Sequence, residues 1–121
     1  MKCVEQLAYS KLKRFVDGVS NRDSFLLRRE FSITPSVIDE ICESIDGFYD
    51  SGVKLSIANL ANAGQVQAGG RSLIDFYPMD DGALGVECVL LVDGKAGEAI
   101  LHAEFSIEGD KCELKYRYIG A

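Results

Sequence analysis

The last third of the chain alternates apolar and polar side chains almost without interruption, from Glu98 to Tyr118. An alternation with a period of two is typical of strands that bury one face. The pair Gly109-Asp110 interrupts this run near its middle, and it predicts a two-residue turn between two strands. The pattern therefore predicts an antiparallel hairpin.

This turn fixes which side chains lie opposite each other. On one face it pairs only apolar residues, namely Ile107 with Cys112, Phe105 with Leu114, Ala103 with Tyr116 and Leu101 with Tyr118. On the other face it pairs Glu108 with Lys111, Glu104 with Lys115 and His102 with Arg117. A slip of one residue would lose the opposite-charge pairs, so the register is well determined.

The same alternation continues toward the N-terminus and predicts two more strands. Through a loop at residues 93–96, the apolar face places Leu90 on Ala99, Cys88 on Leu101, Val86 on Ala103 and Leu84 on Phe105. A turn at residues 79–83 then places Phe76 on Val86 and Ile74 on Cys88. The reverse face carries Val89 opposite Ile100, Glu87 opposite His102, and Leu73, Asp75 and Tyr77 beside them. We expect an antiparallel sheet with one wholly apolar face.

The first half of the chain has helical periodicity instead. A first stripe at spacings of three and four contains Val4, Leu7, Ala8, Leu12, Phe15, Val16 and Val19, with Gly18 at its expected end. A short second helix is predicted from about Asn21 to Phe31, with Asp23 or Ser24 as its cap and Phe25, Leu26 and Phe31 available for burial. Thr34-Pro35 predicts the start of a third helix, whose buried stripe is Val37, Ile38, Ile41, Cys42, Ile45, Phe48 and Tyr49.

Between the two halves the pattern is weaker. Val53, Leu55 and Ile57 alternate as in a strand, while residues 57–61 also fit a helical turn. The Gly69-Gly70 pair predicts a connecting loop, because no phosphate-loop lysine follows it. The chain is thus predicted to be one α+β domain over residues 1–121, with N-terminal helices packed on a curved antiparallel sheet. A cone-like sheet of the nuclear-transport-factor type is one candidate shape, by analogy alone.

Charge and composition narrow the possible functions. A net charge of −6 argues against nucleic-acid binding, which needs clustered basic side chains, and favours a basic protein partner. No apolar run approaches a membrane span, and the N-terminus lacks the layout of a secretory signal, so we expect a cytoplasmic protein. The scattered cysteines Cys3, Cys42, Cys88 and Cys112 suggest reduced core residues rather than a zinc site.

One row of ionisable side chains crosses the reverse face of the predicted sheet: Asp75, Glu87, His102 and Arg117. An enzyme would use His102 as a general base, Glu87 to orient it and Arg117 to hold an anion. An outward sheet face does not exclude water, however, so a solvated charge ladder is the simpler interpretation. The row lacks a recognised spacing of metal ligands, so we expect neither a metal nor a cofactor.

A resemblance is carried by the stretch Asp75-Phe76-Tyr77-Pro78-Met79-Asp80-Asp81-Gly82-Ala83-Leu84-Gly85-Val86-Glu87. It is similar to a segment of small bacterial proteins, some of them grouped with the immunity proteins that neutralise contact-dependent or polymorphic toxins. The likeness covers about the C-terminal third, and no functional residue can be carried over from it. The resemblance implies a cytoplasmic binder that blocks a cognate toxin, often a nuclease with a basic cleft. The acidic third helix and the lack of a catalytic signature in the sequence agree with this, so we do not expect an enzyme.

The leading hypothesis is therefore an immunity-type protein that places acidic side chains against a basic toxin domain. The expected contacts are Asp39, Glu40, Glu43, Asp46 and Asp50 on the third helix, followed by Asp80 and Asp81. One alternative is a small ligand-binding protein or isomerase-like enzyme that uses His102 and Glu87. Another is a homodimer formed through the apolar residues Leu73, Val89, Leu91 and Ile100 of the reverse sheet face.

Overall fold

A computed structural model describes residues 2–50, 52–60 and 72–120, with side chains from Glu5 onward. Three helices come first: α1 (Lys2–Ser20), α2 (Ser24–Phe31) and α3 (Pro35–Phe48). Five strands follow: β1 (Leu55–Ser56), β2 (Ile74–Pro78), β3 (Leu84–Val92), β4 (Lys95–Glu108) and β5 (Lys111–Gly120). The helices pack against a strongly curled antiparallel sheet that forms a half-barrel, so the α+β, cone-like prediction is confirmed. The predicted glycine loop lies outside the described residues.

The helix α1 buries its predicted stripe from Ala8 to Val19, but Leu7 is 38% exposed and its predicted burial is wrong. Ala8, Leu12 and Phe15 are fully buried, and Phe15 contacts the Phe31 ring edge-on at 5.3 Å between centroids. The helix does not end at Gly18 but continues to Ser20. A side chain at Gly18 would overlap Leu26, so this glycine allows close packing of α2.

Both shorter helices begin at the predicted caps. The Asp23 side chain accepts a hydrogen bond from Leu26 N–H at 3.1 Å, and Thr34 Oγ1 accepts one from Val37 N–H at 3.4 Å. Burial on α2 differs from the prediction, because Leu27 is its buried residue. Phe25 is 69% exposed and lies under the Arg29 guanidinium, so its predicted burial is wrong.

The sheet has the predicted strand pairs over most of its length. The neighbours run β1-β3-β4-β5, and β2 also pairs with β3. Because β4 occupies one edge of β3, β1 and β2 share the other edge. The confirmed pairs include Ile74 with Cys88, Phe76 with Val86, Val86 with Ala103, Cys88 with Leu101, Phe105 with Leu114, and Ile107 with Cys112. The apolar face lies under the helices and forms the core with them.

A bulge corrects the end of the last hairpin. The register shifts between His102 and Ala103, so His102 pairs with Tyr118 and Leu101 pairs with Ile119. The predicted pairs of Leu101 with Tyr118 and of His102 with Arg117 are therefore wrong. The extra residue in β5 exchanges the faces of the last side chains. Ile119 is buried at 9% exposure while Tyr118 is 52% exposed, so the bulge buries the aliphatic side chain and keeps the phenol in water.

A second irregularity lies between β3 and β4. A two-residue turn at Asp93-Gly94, both with positive φ, joins Val92 directly to Lys95, so the predicted four-residue loop is too long. The register then shifts after Val89, and Leu90 and Ala99 are not a register pair. In this stretch the Tyr49 hydroxyl accepts a hydrogen bond from Ala99 N–H at 2.9 Å. The end of α3 is thus attached to the irregular part of β4.

Candidate protein-binding surfaces

The outer face of α3 is the most acidic helical surface of the described chain. The predicted carboxylates on it are all exposed: Asp39, Glu40, Glu43, Asp46 and Asp50 just past its end. The helix contains no lysine or arginine, since its sequence is PSVIDEICESIDGF. Its opposite side holds Ile38, Ile41 and Ile45 in the core, which fixes the direction of the acidic side. The third helix therefore presents a rigid row of negative charge to solvent.

One of these carboxylates has a partner within the molecule. Both Asp46 oxygens accept hydrogen bonds from the Arg22 guanidinium, which lies between α1 and α2. This hydrogen bond raises the pKa of Arg22 above its ordinary value. Arg22 has a positive φ of 51°, and it precedes Asp46 by 24 residues, so the sequence did not indicate the pair. Asp46 therefore helps to hold the helices together, and we define the α3 acidic face by Asp39, Glu40, Glu43 and Asp50.

The two acidic residues of the β2–β3 turn belong to a different surface. Asp80 and Asp81 are exposed, and Asp81 Oδ1 accepts a hydrogen bond from Ala83 N–H at 3.0 Å, which stabilises the turn. Asp81 also lines a shallow depression of about 260 Å³ together with Glu104 and Lys115. Those two residues lie on the sheet face that points away from the helices. The structure thus does not bring Asp80 and Asp81 together with the α3 acidic face.

The predicted ionisable row is confirmed on three strands and wrong on the fourth. Asp75 pairs with Glu87, and Glu87 pairs with His102, as expected. Tyr118 takes the fourth place, and its ring stacks on His102 with 4.2 Å between centroids. Arg117, the extra residue of the bulge, instead donates a hydrogen bond to Glu104 Oε2 at 3.3 Å.

A tyrosine beside this row was not part of the predicted site. Tyr77 pairs with Gly85 on β3, and its ring lies so close that a Cβ on Gly85 would overlap it. Burial raises the pKa of Tyr77, and the nearby carboxylates, Glu87 first, add to the shift. The predicted register already placed Gly85 opposite Tyr77, and a glycine opposite a large ring is the sequence feature that could have indicated this contact. The outer sheet face thus combines the rings of Tyr77 and Tyr118 with carboxylates, and aromatic residues are enriched in protein interfaces.

The apolar part of this face is less exposed than the sequence predicted. Val89 is 2% exposed and Ile100 is 6% exposed, so neither belongs to an open patch. Leu73 and Leu91 are half-buried. The predicted exposed cluster for a homodimer is therefore wrong at Val89 and Ile100, while Leu73 and Leu91 remain partly accessible.

The surroundings of His102 and the lining of the inner sheet face bear on the alternative hypothesis of an enzyme. The imidazole is half-buried on the outer sheet face, where it lies against the exposed ring of Tyr118. Among the described residues, no polar or charged residue of the inner face is fully buried. Burial raises the pKa of the inner-face Tyr116 to about 12, with Glu40 adding to the shift. In the described part of the chain, no cluster of three or more His, Cys, Asp or Glu residues could hold a metal ion.

No helix among the described residues is both long enough and apolar enough to cross a membrane. Compared with protein-family models, with curated proteins and with solved structures, the chain has no significant match. Among the described residues, this α+β fold presents acidic side chains on α3 and a mixture of charged and aromatic side chains on the outside of the sheet.

Proposed function

We propose that this protein is an immunity-type binder, which acts in the cytoplasm by attaching to a basic toxin domain and covering its active cleft. The α3 acidic face is the surface that would contact the toxin. The residue types of this face and their exposure support the proposal, together with the resemblance of residues 75–87 to segments of immunity proteins.

The observation that carries the proposal is a helix whose exposed side has carboxylates and no positive charge. Asp39, Glu40 and Glu43 lie within two turns, and Asp50 extends the negative charge past the helix end. Such a row attracts a basic surface over about one Debye length, roughly 8 Å at physiological salt. Complementary charge raises the association rate and fixes the orientation of the partner. A nuclease cleft, which binds phosphates with clustered lysine and arginine, has the matching chemistry.

The test uses the gene next to the one that encodes this chain, because an immunity gene lies beside its toxin gene. The C-terminal domain of that toxin is purified, and its affinity for the wild-type chain is measured by calorimetry at two salt concentrations. The test variant carries Asp39→Lys, Glu40→Lys and Glu43→Lys. Asp46 is left intact because it holds Arg22.

A reversed exposed charge changes binding by about 1 kcal/mol, so the triple variant should bind about 100-fold more weakly. Its matched control carries Glu5→Lys, Glu98→Lys and Asp110→Lys, three exposed positions outside α3. The control has the same net charge as the triple variant, and its affinity for the toxin domain should fall less than tenfold. Equal losses in the two variants would show that net charge, and not the α3 acidic face, governs binding.

A second variant tests the outer sheet face, with Asp75→Lys and Tyr118→Ala. The proposal expects this variant to keep wild-type affinity for the toxin domain. A large loss here, with the α3 triple variant unaffected, would place the contact on the sheet and refute the assignment to α3.

A further inference from the structure

A groove of about 500 Å³ runs between β5 and the segment that joins α2 to α3. One wall consists of the consecutive residues 112–116 of β5, and the other contains residues 30–34 and Val37. Phe31 and Val37 give the groove an apolar lining from the helical layer, while Lys11 and Glu30 lie at its rim. Because five consecutive residues of one strand line it, the groove follows the edge of that strand.

The register shows which backbone groups point into this groove. In a two-residue hairpin the pair next to the turn exchanges both ladder hydrogen bonds, and hydrogen-bonded pairs then alternate along the strands. Glu108 and Lys111 are the pair next to the turn. Residues 113 and 115 therefore bond to β4 as well, and Cys112, Leu114 and Tyr116 direct their N–H and C=O groups to the other edge. Within the described residues, β5 pairs with β4 alone.

The usable edge has a defined length. The turn at residues 109–110 limits it on one side, and the bulge at Arg117 interrupts regular pairing on the other. The remaining five residues span about 17 Å at about 3.4 Å per residue. Protein edges are often blocked by covering elements, but in the described part of the chain this edge borders an open groove with apolar side chains beside it.

We propose that this groove binds an extended segment of a protein partner, which adds as an antiparallel strand to β5. Three N–H and three C=O groups of Cys112, Leu114 and Tyr116 would bond to the backbone of the added strand. Every second side chain of that strand would point inward against Phe31 and Val37. The others would lie on the outer face, opposite Glu113 and Lys115.

Charge complementarity defines the central residues of the segment. Its side chain opposite Lys115 is acidic, the next one opposite Leu114 is apolar, and the one opposite Glu113 is basic. Read from N to C, the segment is acidic, apolar, basic at its centre. This surface shares no residue with the α3 acidic face, so the inference stands independently of the proposed toxin contact.

The experiment uses two capped synthetic peptides of equal composition. The matching peptide is Thr-Val-Glu-Leu-Lys-Val-Thr, and its control, Thr-Val-Lys-Leu-Glu-Val-Thr, exchanges the two charged residues. Each is titrated to millimolar concentration into the ¹⁵N-labelled full chain, and backbone amide shifts are followed by NMR. The matching peptide should shift the amides of Cys112, Leu114 and Tyr116 most strongly. We expect it to bind about tenfold more tightly than its control, because two cross-strand pairs change from attraction to repulsion.

A charge-exchange variant makes the test specific. Glu113→Lys combined with Lys115→Glu keeps the net charge, changes only exposed side chains, and should reverse the preference between the two peptides. A variant with Asp39→Lys and Glu43→Lys, which keeps the Glu40 that acts on Tyr116, should bind both peptides as the wild type does.

Three results would overturn the inference. The first is the absence of shifts at residues 112–116 with millimolar peptide. The second is a preference that the charge-exchange variant does not change. The third is a concentration-dependent shift of the same amides in the free protein, which would show that a second copy of this chain occupies the edge.

Discussion

The hydrogen bond between α3 and the irregular part of β4 gives the sharpest test of this fold. Tyr49 follows the last turn of α3, and its hydroxyl accepts a hydrogen bond from Ala99 N–H at 2.9 Å. Ala99 is fully buried, so water cannot replace the hydroxyl. The substitution Tyr49→Phe keeps the ring and removes only this acceptor.

The expected cost follows from the group that is left without a partner. An unsatisfied buried N–H destabilises the folded state by about 1–3 kcal/mol. We therefore expect Tyr49→Phe to lower the free energy of unfolding by about 2 kcal/mol, and the melting temperature by about 8 °C for a domain of this size. Urea denaturation, followed by circular dichroism, measures the change at constant m-value. Tyr118→Phe is the matched control, because that ring is 52% exposed, and its effect should stay within about 0.5 kcal/mol.

A second substitution at the same contact sharpens the test. A Cβ at position 97 would overlap the Tyr49 hydroxyl, so Gly97→Ala should displace it and break the same hydrogen bond. The two substitutions should therefore be non-additive, with Gly97→Ala costing less in the Tyr49→Phe background than in the wild type. This account of how α3 is held would be refuted if Tyr49→Phe lowered the free energy of unfolding by less than about 0.5 kcal/mol and if the effects of Tyr49→Phe and Gly97→Ala were additive.

Two further predictions concern ionisable groups. The Arg14 guanidinium holds the pKa of Glu30 below its ordinary value. The Glu30 carboxylate should therefore stabilise the folded state above the ordinary pKa of glutamate, and this stabilisation should be lost as the pH falls through the lowered pKa. The stability difference between the wild type and Glu30→Gln should thus shrink below about pH 4, and ¹³C titration of the carboxyl should report the lowered pKa directly. Burial raises the pKa of the Cys88 thiol to about 12, so in a Cys3→Ser background iodoacetamide at pH 8 should label the half-buried Cys42 and spare Cys88. Labelling of both at equal rates in the folded protein would contradict the described core.

The sheet register shows how much of the strand pairing follows from the local sequence pattern. Alternation with a period of two and the Gly109-Asp110 turn are both local features, and together they predicted the pairs from Glu108 with Lys111 to Ala103 with Tyr116. Past that point the prediction was wrong, because a regular ladder cannot anticipate an added residue. Whether Tyr118 or Ile119 faces inward depends on the space beneath the helices, which no neighbouring residue encodes.

The candidate surfaces divide in the same way. The exposure of Asp39, Glu40 and Glu43 was predicted from helical periodicity, since the opposite side of α3 is apolar. The pairing of Asp46 with Arg22 was not, because these residues meet only when the helices pack.

The sequence by itself determined the helix starts, the two-layer α+β arrangement and the inward face of the sheet, because caps, turns and side-chain periodicity act over a few residues. Only the tertiary structure decided the bulge at Arg117, the half-barrel curl and the groove beside β5. Those features depend on how segments that are distant in the sequence pack together. In a close-packed core two side chains cannot occupy the same buried position, so each placement depends on the others.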